Sequence, residues 1–185
     1  RRAAHRRLVD AMDERRYLAL VEHLRAAVDE PPFADPRSGS VPSWIEPSAP
    51  AVQALRPLVR RPWRRVARAV QRLGDPPTDE ELHKLRIRAK QLRYAAELAA
   101  PVVGRRAAAL AAAAEDLQTV LGDQHDAVAA ELWLRETAAA GTTAQVFAAG
   151  QAVAHERRRQ AAGREAWPAA WRALRRKKLR GWTRR

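Results

Sequence analysis

The chain has no cysteine among its 185 residues, so disulfides and thiolate metal sites are excluded. It has no apolar run near the roughly 20 residues that a membrane-spanning helix needs, and no signal peptide is visible. It also lacks the alternating β-branched runs that predict strands. These absences favour an all-α protein of the cytoplasm without a membrane partner.

Positive charge is what the chain has in excess. Its 35 Lys and Arg residues against 21 Asp and Glu give a formal net charge of +14. Such a field favours an acidic partner, such as nucleic acid, an anionic membrane surface or a phosphate polymer. The alternative to a binding role, for any single arginine, is a solvated surface side chain, because a high-GC genome encodes many arginines.

Three segments follow one another along the chain. Residues 1–29 repeat apolar side chains at helical intervals, and residues 30–50 are rich in proline and serine without periodicity. Residues 51–185 alternate helical segments with short Pro or Gly punctuation. The pattern predicts an antiparallel helical bundle over 51–185, preceded by a helical segment and a linker.

The best-marked helix begins with a capping box, Thr78 to Glu81, and we expect Pro101 and Gly104 to end it. The segment before it, residues 51–73, contains two prolines. We therefore expect that helix to start late or to kink.

Glycines predict the remaining helix ends. Gly122 and Gly141 are expected to cap helices over about 105–121 and 123–140, with Asp123 capping the second of these at its N-terminus. Two further helices are expected over about 143–162 and from about 164. In the last one, the spacing of Trp167, Trp171 and Leu174 predicts that it docks on the core.

Residues 83–97 form the most informative stretch. On a helix, its polar side chains share one face about 100° wide, apart from an apolar stripe. These polar residues are His83, Arg86, Lys90, Arg93, Tyr94 and Glu97. Glu97 is the only acid in the stretch and is expected to pair with Arg93 at i,i+4. A ladder of donors about 15 Å long suits an extended polyanion, while the alternative is a solvated cationic face.

The preceding helical segment is also strongly basic, with no acid between residues 51 and 74. Seven arginines occupy one half of it: Arg56, Arg60, Arg61, Arg64, Arg65, Arg68 and Arg72. Like charges at i,i+4 repel, so we expect an anion or acids of neighbouring helices to offset them. Simple surface solubility is the alternative.

A third constellation, Leu117 to Asp126, contains the adjacent pair His125 and Asp126. Asp126 is a candidate for orienting an arginine of the basic helix. As a metal site the pair is weak, because it lacks the i,i+4 ligand geometry of one helix face. The basic C-terminal tail either extends the anion surface or stays solvated.

The two motifs together, His83-x-x-Arg86-x-x-x-Lys90-x-x-Arg93-Tyr94-x-x-Glu97 and Leu117-Gln118-x-x-Leu121-Gly122-x-x-x-Asp126, resemble the CHAD family, the conserved histidine α-helical domain. The resemblance is strongest over residues 51–175. It implies a pair of similar bundles, each with its own motif helix, and only one such helix is recognised in this sequence. Residues 1–29 would then be the tail of a first bundle, and its exchange with another chain would allow self-association.

The resemblance implies non-enzymatic binding of inorganic polyphosphate. We expect no cofactor and no metal, and the cytoplasm as the default location. Targeting to polyphosphate granules and regulation at them are both compatible with such binding. The implied direct ligands are His83, Arg86, Lys90 and Arg93. Less specifically, the neighbouring basic helix would add Arg60, Arg61, Arg64, Arg65 and Arg68.

Two other functions remain open from the residues alone. A nucleic-acid-binding protein would interleave aromatic side chains with the basic stripe, and here only Tyr94 comes close. A metal-dependent phosphohydrolase would need His83, His125, Asp123 and Asp126 to cluster around a metal ion.

Overall fold

A computed structural model describes residues 2–30 and 50–183. All regular structure in these two ranges is helical, which confirms the all-α prediction. The chain divides into two compact units, Arg1–Ser48 and Ala49–Arg185. The predicted linker, residues 30–50, falls largely outside the described residues.

The first unit contains helices α1 (Arg2–Asp13) and α2 (Arg15–Asp29), which contact each other. The predicted N-terminal helical segment is therefore confirmed. None of its described residues is buried. Its exposed apolar side chains are Leu8, Val9, Met12, Tyr17, Leu18, Leu20, Leu24 and Val28.

The second unit is built from four long helices, α3 (Ala51–Gln71), α4 (Asp79–Val103), α5 (Arg105–Ala138) and α6 (Thr143–Leu174). A short helix α7 (Lys177–Arg180) and a 3-10 turn (Gly181–Thr183) follow. α4 packs against both α3 and α5, and α5 packs against α6. Short connections between sequential neighbours make these pairs antiparallel, as predicted.

The core lies where α3, α4, α5 and the end of α6 meet. α4 contributes the fully buried Leu82, Leu85 and Leu92, and each such burial stabilises the fold by about 1.5–3 kcal/mol. Trp63 of α3 stacks on Trp171 of α6 with ring centroids 5.5 Å apart. Other buried or half-buried residues of the cluster include Leu110, Leu117, Leu121, Trp167, Leu174 and Trp182. The predicted docking of the last long helix is thus confirmed.

The start of α4 is the predicted capping box. The Glu81 amide donates to Thr78 Oγ1 at 3.2 Å, and the Thr78 amide donates to Glu81 Oε2 at 2.8 Å. The helix ends at Val103, and Gly104 takes a positive φ of 75°. Pro101 lies inside the last turn, so Gly104 alone supplies the predicted stop.

Of the two outcomes expected for the helix over residues 51–73, the late start is wrong, because α3 begins at Ala51 and includes both Pro57 and Pro62. The kink stays a prediction. Each proline removes one amide donor, but the buried apolar face that contains Val59, Trp63 and Val66 holds the segment helical.

The predicted breaks at Gly122 and near residue 163 were also wrong, since α5 and α6 run through them without interruption. Gly122 therefore caps nothing, and Asp123 lies in mid-helix. Both glycines serve close packing instead. A Cβ added at Gly163 would lie 2.6 Å from the Gln124 Cβ, and one at Gly122 would lie 3.3 Å from Arg86 Nε. The break predicted at Gly141 is confirmed, because α5 ends at Ala138 and α6 begins at Thr143.

No helix in the described ranges is long and apolar enough to cross a membrane.

Candidate anion-binding site

α4 carries its core stripe between two cationic flanks. We call the flank toward α5 the motif face; its residues are His83, Arg86, Lys90 and Arg93. Leu82, Leu85 and Leu92 of the same helix are fully buried. Because the motif residues recur at +3, +7 and +10, they form a row along the groove between α4 and α5.

Arg86 is the best-defined member of the row. Its side chain is half-buried and lies against the backbone of α5 at Gly122, as the 3.3 Å separation between Nε and an added Cβ shows. Its Nε is buried and has no hydrogen-bond partner among the described residues. A buried guanidinium donor without an acceptor is costly, so this atom calls for a ligand.

His83 lies against His125 of α5, with ring centroids 4.1 Å apart and an angle of 34° between the rings. His83 Nδ1 is buried and has no hydrogen-bond partner in the described part of the chain. Burial lowers the pKa of His125 below its ordinary 6.5, and the nearby His83 and Arg86 lower it further, against the opposing effect of Asp126 and Asp79. His125 is therefore neutral at pH 7 and can serve as a hydrogen-bonding group there.

Arg93, at the other end of the row, is already paired. Its guanidinium lies 3.1 Å from Glu97, as predicted, and donates to Glu115 of α5 at 3.0 Å. Lys90 is exposed and has no ion pair among the described residues. Asp126, the predicted partner of an arginine, is exposed and makes no such pair in the described structure. Glu115 has that role.

The facing residues of α5 repeat the spacing of the motif face in antiparallel register. Glu115, Gln118, Gly122 and His125 recur at +3, +7 and +10, just as the motif residues do. Three of the resulting pairs are direct: His83 with His125, Arg86 with Gly122 and Arg93 with Glu115. The register places Lys90 level with Gln118, whose Oε1 is buried without a partner among the described atoms.

The α3 arginines do not join this row. Arg65, Arg68 and Arg72 surround a depression of about 140 Å³ together with Arg88 of α4. Arg88 lies about 160° from Arg86 around the α4 axis, on the other side of the core stripe. Of the other predicted α3 ligands, Arg61 and Arg64 are exposed and Arg60 is half-buried. An anion-binding role for the α3 set stays a prediction.

Sequence reasoning missed several members of the site. It treated Gly122 as a helix end and did not place Glu115, Gln118 or His125 on one face. The shared +3, +7, +10 spacing could have found them, provided that α5 was taken as one continuous helix. The described residues contain no group of three or more His, Asp or Glu side chains that could hold a metal ion.

The second unit is therefore an all-α domain in which the helix that carries His83 and Arg86 packs against the next helix of the bundle. The chain belongs to the CHAD domain family, whose model matches residues 1–135. This match includes the whole motif face and its partners on α5.

Two proteins of Mycobacterium tuberculosis, from the CDC 1551 / Oshkosh and ATCC 25618 / H37Rv strains, are similar to the chain. Each is 34% identical over 140 residues, which cover 75% of this chain and 25% of the relative. Both are named only as uncharacterized proteins. The chain thus spans about a quarter of the length of these curated relatives.

Proposed function

We propose that the chain binds inorganic polyphosphate through the motif face and does so without catalysis. The observation that carries the proposal is Arg86, a half-buried guanidinium whose Nε has no acceptor among the described residues. A phosphoryl oxygen would supply that acceptor through a charge-assisted hydrogen bond. His83 on one side and Lys90 on the other extend the same row.

The length of the row favours a polymer over a single phosphate. From His83 to Arg93 is about 15 Å along the helix axis, so several phosphoryl groups of one chain can be contacted at once. Such multivalent binding should strengthen with chain length and weaken with salt, because condensed counterions are released.

The four motif residues should not contribute equally. Arg93 already pairs with Glu97 and Glu115, so a ligand gains less from its charge. Arg86 and Lys90 have no carboxylate partner in the described structure, and they are the expected main contacts. His83 adds an imidazole nitrogen to the same row.

The absence of turnover is part of the same proposal. Activation of water for phosphate hydrolysis needs free carboxylates or imidazoles arranged around the reacting phosphorus, usually with a metal ion. Both acids at the Arg93 end of the motif face are engaged by that arginine. Binding at a polyphosphate granule, for targeting or for regulation, is a role that this chemistry would serve.

The test is the binding of labelled long-chain polyphosphate, followed by fluorescence anisotropy. An Arg86→Ala/Lys90→Ala/Arg93→Ala variant should bind about a hundredfold more weakly or worse, since each charged hydrogen bond contributes about 1.5–3 kcal/mol. The matched control is Arg158→Ala/Arg172→Ala/Arg175→Ala, which removes the same charge from exposed positions of α6 and the residue after it. It should bind within a few-fold of the wild type.

Three outcomes would overturn the proposal. The first is equal loss of affinity in both triple variants, which would indicate a diffuse charge effect. The second is displacement of polyphosphate by duplex DNA at equal charge concentration, which would favour the nucleic-acid alternative. The third is phosphate release during incubation with magnesium, which would show an enzyme.

A further inference from the structure

Between α3 and α4, on the other side of the α4 core stripe from the motif face, a second set of arginines lines a depression. Arg65, Arg68 and Arg72 of α3 and Arg88 of α4 line one depression of about 140 Å³, together with Ala69 of α3. Ala69 is 5% exposed, so the depression reaches the apolar core between the two helices. Two helices thus contribute arginines to the same small space.

None of these four arginines has an ion pair with a carboxylate in the described part of the chain. Arg68 Nε donates only to the Arg64 carbonyl, at 3.3 Å. Elsewhere in the same unit, acids do pair with arginines across helices, as Glu115 does with Arg93 and Asp79 with Arg164. Four arginines that line one depression without an acid repel one another, and an oxyanion bound there would offset that repulsion.

The size of the depression limits the ligand. It holds several waters, each of which takes about 30 Å³ in the liquid, but it is well below the roughly 300–1,000 Å³ of pockets for drug-sized molecules. Guanidinium groups match phosphoryl oxygens in geometry and charge, and they bind them bidentately. A small phosphate-class anion fits both the volume and the chemistry, whereas a nucleotide base does not.

We propose that Arg65, Arg68, Arg72 and Arg88 form a second anion site, separate from the motif face, that binds one or two phosphoryl groups. The ligand is free orthophosphate or pyrophosphate, or the end of a polyphosphate chain. The site does not depend on the motif face, since the two lie about 160° apart around α4.

The experiment titrates pyrophosphate into the whole chain by calorimetry and repeats the titration with two double variants. Arg72→Ala/Arg88→Ala removes one arginine from each wall of the depression. Arg158→Ala/Arg172→Ala removes two charges from exposed positions of α6 and is the matched control. Circular dichroism checks that both variants keep the helical content of the wild type.

We expect Arg72→Ala/Arg88→Ala to weaken pyrophosphate binding by about tenfold for each arginine removed, and the α6 variant to bind within about twofold of the wild type. A site that takes chain ends should also bind short polyphosphates more weakly in the Arg72/Arg88 variant. If the site takes only free anions, the affinity for short polyphosphates should not change.

The proposal is overturned if the wild type shows no pyrophosphate binding, or if both double variants lose affinity equally. It is also overturned if Arg72→Lys/Arg88→Lys binds as well as the wild type, because bidentate contacts would then be unnecessary. Failure of this site leaves polyphosphate binding by the motif face untouched, since that is read from long-chain polyphosphate and the Arg86/Lys90 contacts.

Discussion

Gly122→Ala should separate the stability of the bundle from its affinity for polyphosphate. Alanine is favoured over glycine inside a helix by about 1 kcal/mol, which would stabilise α5. The new Cβ would lie 3.3 Å from Arg86 Nε and 3.9 Å from its Nη2. The atoms that must yield belong to the far end of a flexible side chain, so the crowding is relieved by displacing the guanidinium.

The two effects act on different quantities. The free energy of unfolding should be unchanged or higher by up to about 1 kcal/mol. Affinity for polyphosphate should fall, because the displaced guanidinium no longer lies in the row of donors. A single charged hydrogen bond contributes about 1.5–3 kcal/mol, so a displaced group should cost about tenfold or somewhat less.

Urea unfolding and polyphosphate anisotropy measure the two quantities on the same protein. Gly150→Ala is the matched control, because it adds the same methyl group to an exposed position of α6 with nothing within 4 Å. It should stabilise the fold by a similar amount and leave binding unchanged. In an Arg86→Ala background, Gly122→Ala should have no further effect on binding.

The reasoning is refuted if Gly122→Ala binds polyphosphate as tightly as the wild type. It is also refuted if the substitution weakens binding equally with and without Arg86. In that second case the methyl group would act on the groove in general and not on the guanidinium.

Three further predictions concern other parts of the second unit. Gly163→Ala should lower the free energy of unfolding, because its Cβ would lie 2.6 Å from the Gln124 Cβ. Such overpacking costs about 1–3 kcal/mol, whereas alanine is favoured over glycine inside a helix by about 1 kcal/mol. Polyphosphate affinity should rise as pH falls below the ordinary 6.5 of histidine, because burial lowers the pKa of His125 and a bound anion would raise it. His125→Asn should flatten this profile. Glu131→Gln should increase amide exchange over residues 128–160, because hydrogen bonds, led by that from Gln160, lower the pKa of Glu131 to about 2.

His125 and Glu131 both make the fold less stable as the pH falls, but they do so over different pH ranges. The unfolded chain protonates His125 near pH 6.5, while the folded chain resists protonation, so stability falls as pH drops below that value. Glu131 stabilises the folded chain fully above pH 4.5, and this contribution is lost as pH falls toward about 2. An unfolding free energy that rises as pH falls from 7 to 5 in the wild type, but not in His125→Asn, would contradict the first assignment.

Features whose residues all lie within one helix could be predicted from the sequence. The capping box of Thr78 and Glu81 and the apolar stripe of α4 depend on spacing within one helix, and both are present as predicted. The Arg93–Glu97 pair is equally local. For such features helical periodicity is a sufficient guide.

Features that depend on the packing of a second helix could not be predicted from the sequence. A glycine after an apolar run is typical of a C-terminal cap and equally of a close helix crossing, and only the neighbouring helix decides between them. Gly122 and Gly163 lie at such close contacts, so α5 and α6 are each one continuous helix where two shorter helices were expected. The antiparallel match between the motif face and α5 was hidden by the same error, because it extends across Gly122 from Glu115 to His125.

If the motif face binds polyphosphate as proposed, the acids around it lead us to expect the tightest contact at the middle of the row. Glu97 and Glu115 offset Arg93 at one end of the row. At the other end, Asp79 accepts hydrogen bonds from Gln124 and Arg164, so the start of α4 also carries a compensated charge. Between them Arg86 and Lys90 have no carboxylate partner in the described structure, so we expect the positive potential to be greatest midway along the row. A flexible chain bound across that midpoint would continue in either direction, so the proposal predicts no upper limit on polymer length.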